Sequence, residues 1–225
     1  MAAKLNYRLF AFAAMALILA ESAASRQMVY GSLAQLESSS RAQRHLPLLN
    51  QLELVYGVEA DLVLGMMKTE SGFDAQAVSG AGALGLMQLM PLTAQGQYEQ
   101  VSQRQVEPDF FRRQLLDQPD LNIFLAVQHL AELERVFAVV KDHKKRRTLV
   151  LAAYNAGYRH VMRAFGCLRL NCVGESVRNM TWRQFRIRLK RLPGETRRYI
   201  GVVEKNRLEV QKLLQLNHSD FSVHA

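Results

Sequence analysis

No stretch of this chain alternates apolar and polar residues for the length of a strand; apolar positions recur instead at spacings of three and four. That spacing lines side chains along one face of a helix, so the chain reads as mainly α-helical. Leu62, Val63, Met66 and Met67 mark one such face. Ile123, Leu125, Val127, Leu130, Leu133 and Val136 mark another, and Leu48, Leu49, Leu52, Leu54 and Val55 a third. Helices are expected over 46–56, from a cap at Glu59 or Asp61 to Glu70, and over 84–90, 121–140, 148–153, 159–165, 182–189 and 195–216. Residues 93–117 are polar and glutamine-rich, with Phe110 and Phe111 expected to dock them on the core.

The chain has 225 residues, 49% of them hydrophobic, enough for one domain of ordinary size with appendages. Lys4 and Arg8, the apolar run 9–20 and the small residues Ser22, Ala23 and Ala24 have the layout of a secretory signal peptide, cut before Ser25. The run is short for a membrane span, which needs roughly 20 residues; an uncleaved anchor is the alternative. No cysteine stands near the cut, which argues against a lipoprotein. The expected organisation is a signal peptide over 1–24, a linker or loosely attached helix over 25–45, one domain over 46–216 and a flexible tail over 217–225. The mature protein is expected to be exported and periplasmic.

An oxidising compartment makes a disulfide of the close pair Cys167 and Cys172, and no histidine stands near enough to complete a zinc site. The net charge of +9 favours anionic polymers or membrane surfaces as partners, and export argues against nucleic acid. Basic residues cluster over 141–147 and 183–198, either as solvated helix faces or as a contact to the cell wall.

Glu70 carries the chemistry. It stands four residues after Met66 and three after Met67, so it continues an apolar helical face, and Gly72 marks the helix end just beyond it. Burial and the negative end of the helix dipole both disfavour a charged carboxylate there. A glutamate that keeps its proton near neutral pH suits general acid catalysis.

Glu70-Ser71-x-Phe73 is followed by Ser79 and by the run from Gly82-Ala83-x-Gly85 through Leu86-Met87-Gln88-Leu89-Met90-Pro91 to Thr93-Ala94. Later come Leu121-Asn122-Ile123, Ala153-Tyr154-Asn155-Ala156-Gly157 and Pro193-x-Glu195-Thr196-Arg197-x-Tyr199-Ile200. In this order the motifs resemble the family 1, SLT-type, murein lytic transglycosylases over residues 46–210. The resemblance implies a single catalytic domain of lysozyme-like (goose-type/SLT) fold, working as a monomer on peptidoglycan glycan strands without metal or organic cofactor. It implies cleavage of the MurNAc-β-1,4-GlcNAc bond with 1,6-anhydro-MurNAc ends.

Glu70 matches the family's single acid/base. Ser79 matches a contact to the acetamido or lactyl region, and Gln88 and Met90 match groove-lining positions. Tyr154 matches a tyrosine facing the catalytic glutamate, with Asn155 beside it. Glu195 matches a second glutamate and is assigned to groove organisation, because it opens a helix where the dipole favours its charge. Met87 and Tyr199 read as core, Asp74 as a turn residue. The segments 95–120 and 158–192 are longer than in compact members, and either can shape the groove or meet an envelope or secretion-machine partner. The competing readings are a hydrolytic muramidase like the goose-type lysozymes and a wall-binding assembly protein of a secretion or conjugation machine.

Overall fold

Proline opens three of the helices and glycine follows the end of several, so the chain's own punctuation sets most boundaries. The computed structural model describes the backbone of residues 23–221 and the side chains of 40–214 except Phe110 and Leu170. Most of the expected signal peptide and the last four residues lie outside that range. The chain divides into two units, residues 1–45 and 46–225. The described part of the first is helical and belongs to α1, Ala23–Tyr56, whose later turns enter the second unit.

The second unit continues with α2 (Ala60–Glu70), α3 (Pro91–Ser102), α4 (Pro108–Asp117), α5 (Pro119–Val136) and α6 (His143–Ala156). Then come α7 (Tyr158–Phe165), α8 (Leu170–Arg178), α9 (Trp182–Leu189) and α10 (Gly194–Phe221). Among the described residues there is no strand, only isolated antiparallel bridges from Leu84 to Val78 and Leu89. The mainly helical reading holds.

The pairing of α2 with α10 positions the site. It needs Gly65, because a Cβ there would lie 2.8 Å from the Arg207 Cα. With the backbones this close, polar side chains tie the pair along its length. Lys68 meets Glu209 at 2.8 Å, Asn206 Nδ2 donates to Thr69 at 2.9 Å, and Arg207 Nε donates to Asp61 at 3.0 Å. Leu62, Val63, Met66 and Met67 are buried as their spacing requires, as are Ile123, Leu125, Val127, Leu130 and Leu133 of α5.

Several expectations need correction. Residues 84–90 form turns rather than a helix, since Gly85 and Gln88 both have positive φ (72° and 45°). Residues 93–117 form α3 and α4, with Phe111 buried against the Tyr98 ring at 5.2 Å between centroids. Leu54 and Val55 are exposed, so only Leu49 and Leu52 of that stripe reach the core. Glu59 takes the N-cap position of α2 but makes no side-chain cap bond: Glu53 accepts from the Ala60 N–H at 3.0 Å, while Glu59 pairs with Arg147 at 2.6 Å and Arg207 at 3.0 Å. The helix expected over 148–153 runs from His143 to Ala156 because Asp142 caps it through the Lys145 N–H. Finally, α5 ends at Val136, and α10 continues to Phe221.

The 141–147 cluster is largely absorbed internally. Lys145 is buried, donates to the Met180 carbonyl at 2.7 Å and lies 5.2 Å from the Trp182 ring centroid. Arg146 pairs with Glu134 at 2.8 Å. The Cys167–Cys172 disulfide is formed, but Cys172 stands inside α8 rather than in a loop.

Candidate active site

Glu70 ends α2 because Gly72 and Phe73, both with positive φ (61° and 65°), turn the chain away. Ser71 secures the turn by donating to the Leu86 carbonyl at 2.9 Å. The segment that follows folds back as a loop over 77–90. Ser79 Oγ accepts from the Ala83 N–H at 2.9 Å, and the Gln88 amide donates to the carbonyls of Ala77 at 3.1 Å and Gly85 at 3.0 Å.

This loop is hung on α5 by one buried side chain. Asn122 Oδ1 accepts from the Met87 N–H at 2.9 Å, and its Nδ2 donates to the Leu84 carbonyl at 2.9 Å. A Cβ at Gly85 would lie 2.6 Å from that Nδ2, so glycine is required both for the positive φ and for the approach. From α6, Tyr154 donates to the Met87 carbonyl at 2.9 Å.

The loop and the ends of α2, α6 and α10 surround a cleft of about 440 Å³. Glu70, Ser79, Gln88, Met90, Tyr154, Asn155 and Glu195, the seven residues singled out from the sequence, all line it. Met90 is 46% exposed, so it belongs to the wall; Met87 is fully buried. Asp74 is exposed and lies outside the lining, its Oδ1 accepting from the Gln76 N–H in a local turn. Gln88 keeps only its carbonyl oxygen for a ligand, because both bonds of its amide nitrogen go to the loop.

Burial raises the Glu70 pKa from its ordinary 4.5 to about 7, against a smaller lowering by a hydrogen bond from Tyr199. Tyr199, on α10, donates its hydroxyl to Glu70 Oε1 at 2.6 Å. Burial, followed by the nearby Glu70 charge, pushes the tyrosine's own pKa well up, so it remains a donor. The partner of Glu70 is therefore Tyr199, which reads as core in the sequence, whereas the Tyr154 hydroxyl is bound to the loop. Tyr199 follows Glu195 by one helical turn, and that spacing was its signal.

His129, which stands in no motif, and Thr93, which stands in one but was given no role, also line the cleft. His129 stands seven residues, two turns, after Asn122, and its ring tilts against Tyr154 at 5.7 Å between centroids. Burial lowers its pKa, opposed by Glu132, so it presents a neutral imidazole at neutral pH.

Tyr199→Phe removes the one contact that favours the Glu70 carboxylate. The Glu70 pKa then rises further, and any activity that needs its proton keeps its rate to higher pH. A shift of the alkaline limb by roughly half a unit or more is expected from losing one charge-assisted hydrogen bond. An unmoved limb would mean that the 2.6 Å contact is energetically silent.

The profile of the family described as "Transglycosylase SLT domain" matches residues 47–167. Membrane-bound lytic murein transglycosylase C of Serratia proteamaculans is 37% identical over 135 residues, 60% of this chain and 37% of that protein. The protein of the same name from Pectobacterium atrosepticum is 33% identical over 166 residues, 72% of this chain and 45% of that one. The chain thus spans less than half the length of these relatives. Among solved structures, an inactive mutant of lytic transglycosylase Slt from Pseudomonas aeruginosa aligns with a TM-score of 0.57 and 27% identity, over 75% of this chain and 24% of that one. The 70 kDa soluble lytic transglycosylase of Escherichia coli aligns with a TM-score of 0.62 over 88% of this chain and 32% of that one; at 19% identity that likeness speaks for the fold.

Proposed function

Because the chain belongs to the transglycosylase SLT domain family, with its mainly helical, lysozyme-like fold, we propose that it is a murein lytic transglycosylase. Its reaction cleaves the MurNAc-β-1,4-GlcNAc bond of peptidoglycan and leaves a 1,6-anhydro-MurNAc end. The observation that carries this reading is Glu70, buried on the wall of a cleft with its pKa raised to about 7.

Glu70 gives its proton to the glycosidic oxygen as the bond to C1 breaks. As a carboxylate it accepts the proton of the muramic C6 hydroxyl, whose oxygen closes on C1, so the acid is restored without water. Tyr199 steadies the carboxylate between the two transfers. A pKa of about 7 suits both duties, because proton donation and acceptance are then nearly balanced at neutral pH.

A hydrolase of the two-carboxylate kind needs a second acid to hold water or attack C1. Asp74 is turned away, and Glu195 lies in the first turn of α10, where the dipole favours its charge. That arrangement supports intramolecular capture over hydrolysis. We assign Ser79, the Gln88 carbonyl oxygen, Met90, Tyr154, Asn155 and Glu195 to holding the glycan.

The catalytic domain is residues 46–216, acting as an exported monomer at the cell wall without metal or organic cofactor. The matched relatives are named as membrane-bound; no helix among the described residues of this chain is long and apolar enough to cross a membrane.

The test is mass spectrometry of muropeptides released from purified sacculi by the full chain. Anhydro ends support the proposal, and reducible ends move the protein to the muramidases. The pH dependence is a second check: kcat falls as pH rises through about 7, tenfold per unit beyond it, because the protonated acid is consumed in the first step. A rate that stays flat from about pH 6 to about pH 9 argues against Glu70 as the acid.

A further inference from the structure

The positive charge of this chain is concentrated. Residues 158–192 hold nine basic side chains against one acidic, Glu175, a net +8 within a chain whose total is +9. They form a lobe of three helices. Val161, Phe165, Val173, Val177 and Phe185 are its buried inner side, and Lys145 and Trp182 fasten it to α6. The Cys167–Cys172 disulfide closes the turn between α7 and α8.

With those five side chains turned inward, the arginines face solvent, together with Tyr158, Leu168 and Ile187. Arg159, Arg163, Arg169, Arg178, Arg183 and Arg186 are all exposed. None of the nine basic side chains has an ion-pair partner among the described residues. Elsewhere Arg146, Arg147 and Arg207 are each matched to a carboxylate. Unneutralised charge at this density repels itself in the folded protein and attracts a polyanion.

The lobe also has a particular place in the chain. It begins three residues after Asn155 and ends three before Glu195, and both of those line the cleft. Both ends of the lobe are therefore anchored beside the cleft. We infer that this lobe is a second binding surface, outside the cleft, for the acidic peptide stems of murein, whose free carboxylates meet its unpaired arginines. The inference rests on reading the cleft as a murein-cleaving site. Each exposed contact contributes little, but several add, and salt screens them all. An anionic membrane would satisfy the charge but not its position between two cleft residues, so vesicles form the competing arm of the test.

Binding is read in the Glu70→Gln protein, so that substrate is not consumed, with and without R169Q, R178Q, R183Q and R186Q together. These four side chains are exposed and outside the cleft. The ligands are soluble glycan strands with their stems, the same strands stripped by an amidase, and vesicles containing phosphatidylglycerol.

The expected result is roughly tenfold tighter binding of stemmed than of stripped strands, an advantage lost in the quadruple variant and at about 0.5 M salt. Lysine at the same four positions restores it, and the melting temperature stays unchanged. Equal affinity for both strands sinks the lobe and leaves the cleft reading standing; binding of neither sinks both. A quadruple variant that loses vesicles but keeps its preference for stemmed strands makes the lobe a membrane surface and overturns the inference.

Discussion

Glu70→Gln is expected to abolish the release of anhydromuropeptides while making the protein more stable at pH 8. General acid–base catalysis is typically worth about 10²–10⁴-fold, and the proposed reaction gives both proton transfers to one side chain, so the loss is expected at or beyond the upper end. Glutamine matches glutamate in shape but can neither protonate the leaving oxygen nor take the C6 proton.

The stability change has the opposite sign from that of most carboxylates. The folded-state pKa of about 7 lies above the ordinary 4.5, so between those values the folded protein binds the proton more tightly than the unfolded chain. The wild type therefore loses stability as pH rises from 4.5 to about 7 and stays level above it. That loss amounts to ~3 kcal/mol at most. Glutamine never charges, so the mutant's advantage is absent at pH 4, grows through that window and reaches several degrees of melting temperature by pH 8. Thermal melts at several pH values, run beside muropeptide mass spectrometry, check both halves. A mutant that loses activity and stability together would make Glu70 a packing residue.

That opposition between stability and activity was partly legible in the chain. Glu70 could be placed at a buried helix end because Met66 and Met67 fix the face and Gly72 fixes the stop. Its hydrogen-bond partner could not, because Tyr199 lies 129 positions away and meets it only through the pairing of α2 with α10. That pairing depends on Gly65, a residue that ordinary helix propensity counts as a defect. The seven cleft residues were found by motif, whereas His129 sits within an apolar helical run that reads as core. The segment 84–90 was misread as a helix for a physical reason: its apolar residues have helical spacing, but two positive-φ positions and a distant asparagine dictate its path.

Asn122→Leu is expected to have the second-largest effect, on fold and rate together. The side chain is fully buried, and its two hydrogen bonds, to the Met87 N–H and the Leu84 carbonyl, hold the loop that carries Gln88 and Met90. Leucine keeps the branched shape and volume, so no cavity opens, but it leaves a buried donor and a buried acceptor unpaired. Each such group costs about 1–3 kcal/mol, so the protein loses about 2–6 kcal/mol and melts well below the wild type. In whatever fraction stays folded, the loop no longer has a fixed height over α5. Displacement of substrate-positioning groups by about 1 Å lowers kcat/KM roughly 100-fold, and the Glu70 pKa, set by burial at the end of α2, stays where it was. The pH profile therefore separates the two mutants: Asn122→Leu lowers the curve without moving its alkaline limb. Asn122→Asp gives the intermediate case, because it still accepts from Met87 but turns a second oxygen toward the Leu84 carbonyl. If Asn122→Leu melts with the wild type and keeps its rate, the loop is held by its contacts to Ser71 and Tyr154 and the asparagine is incidental.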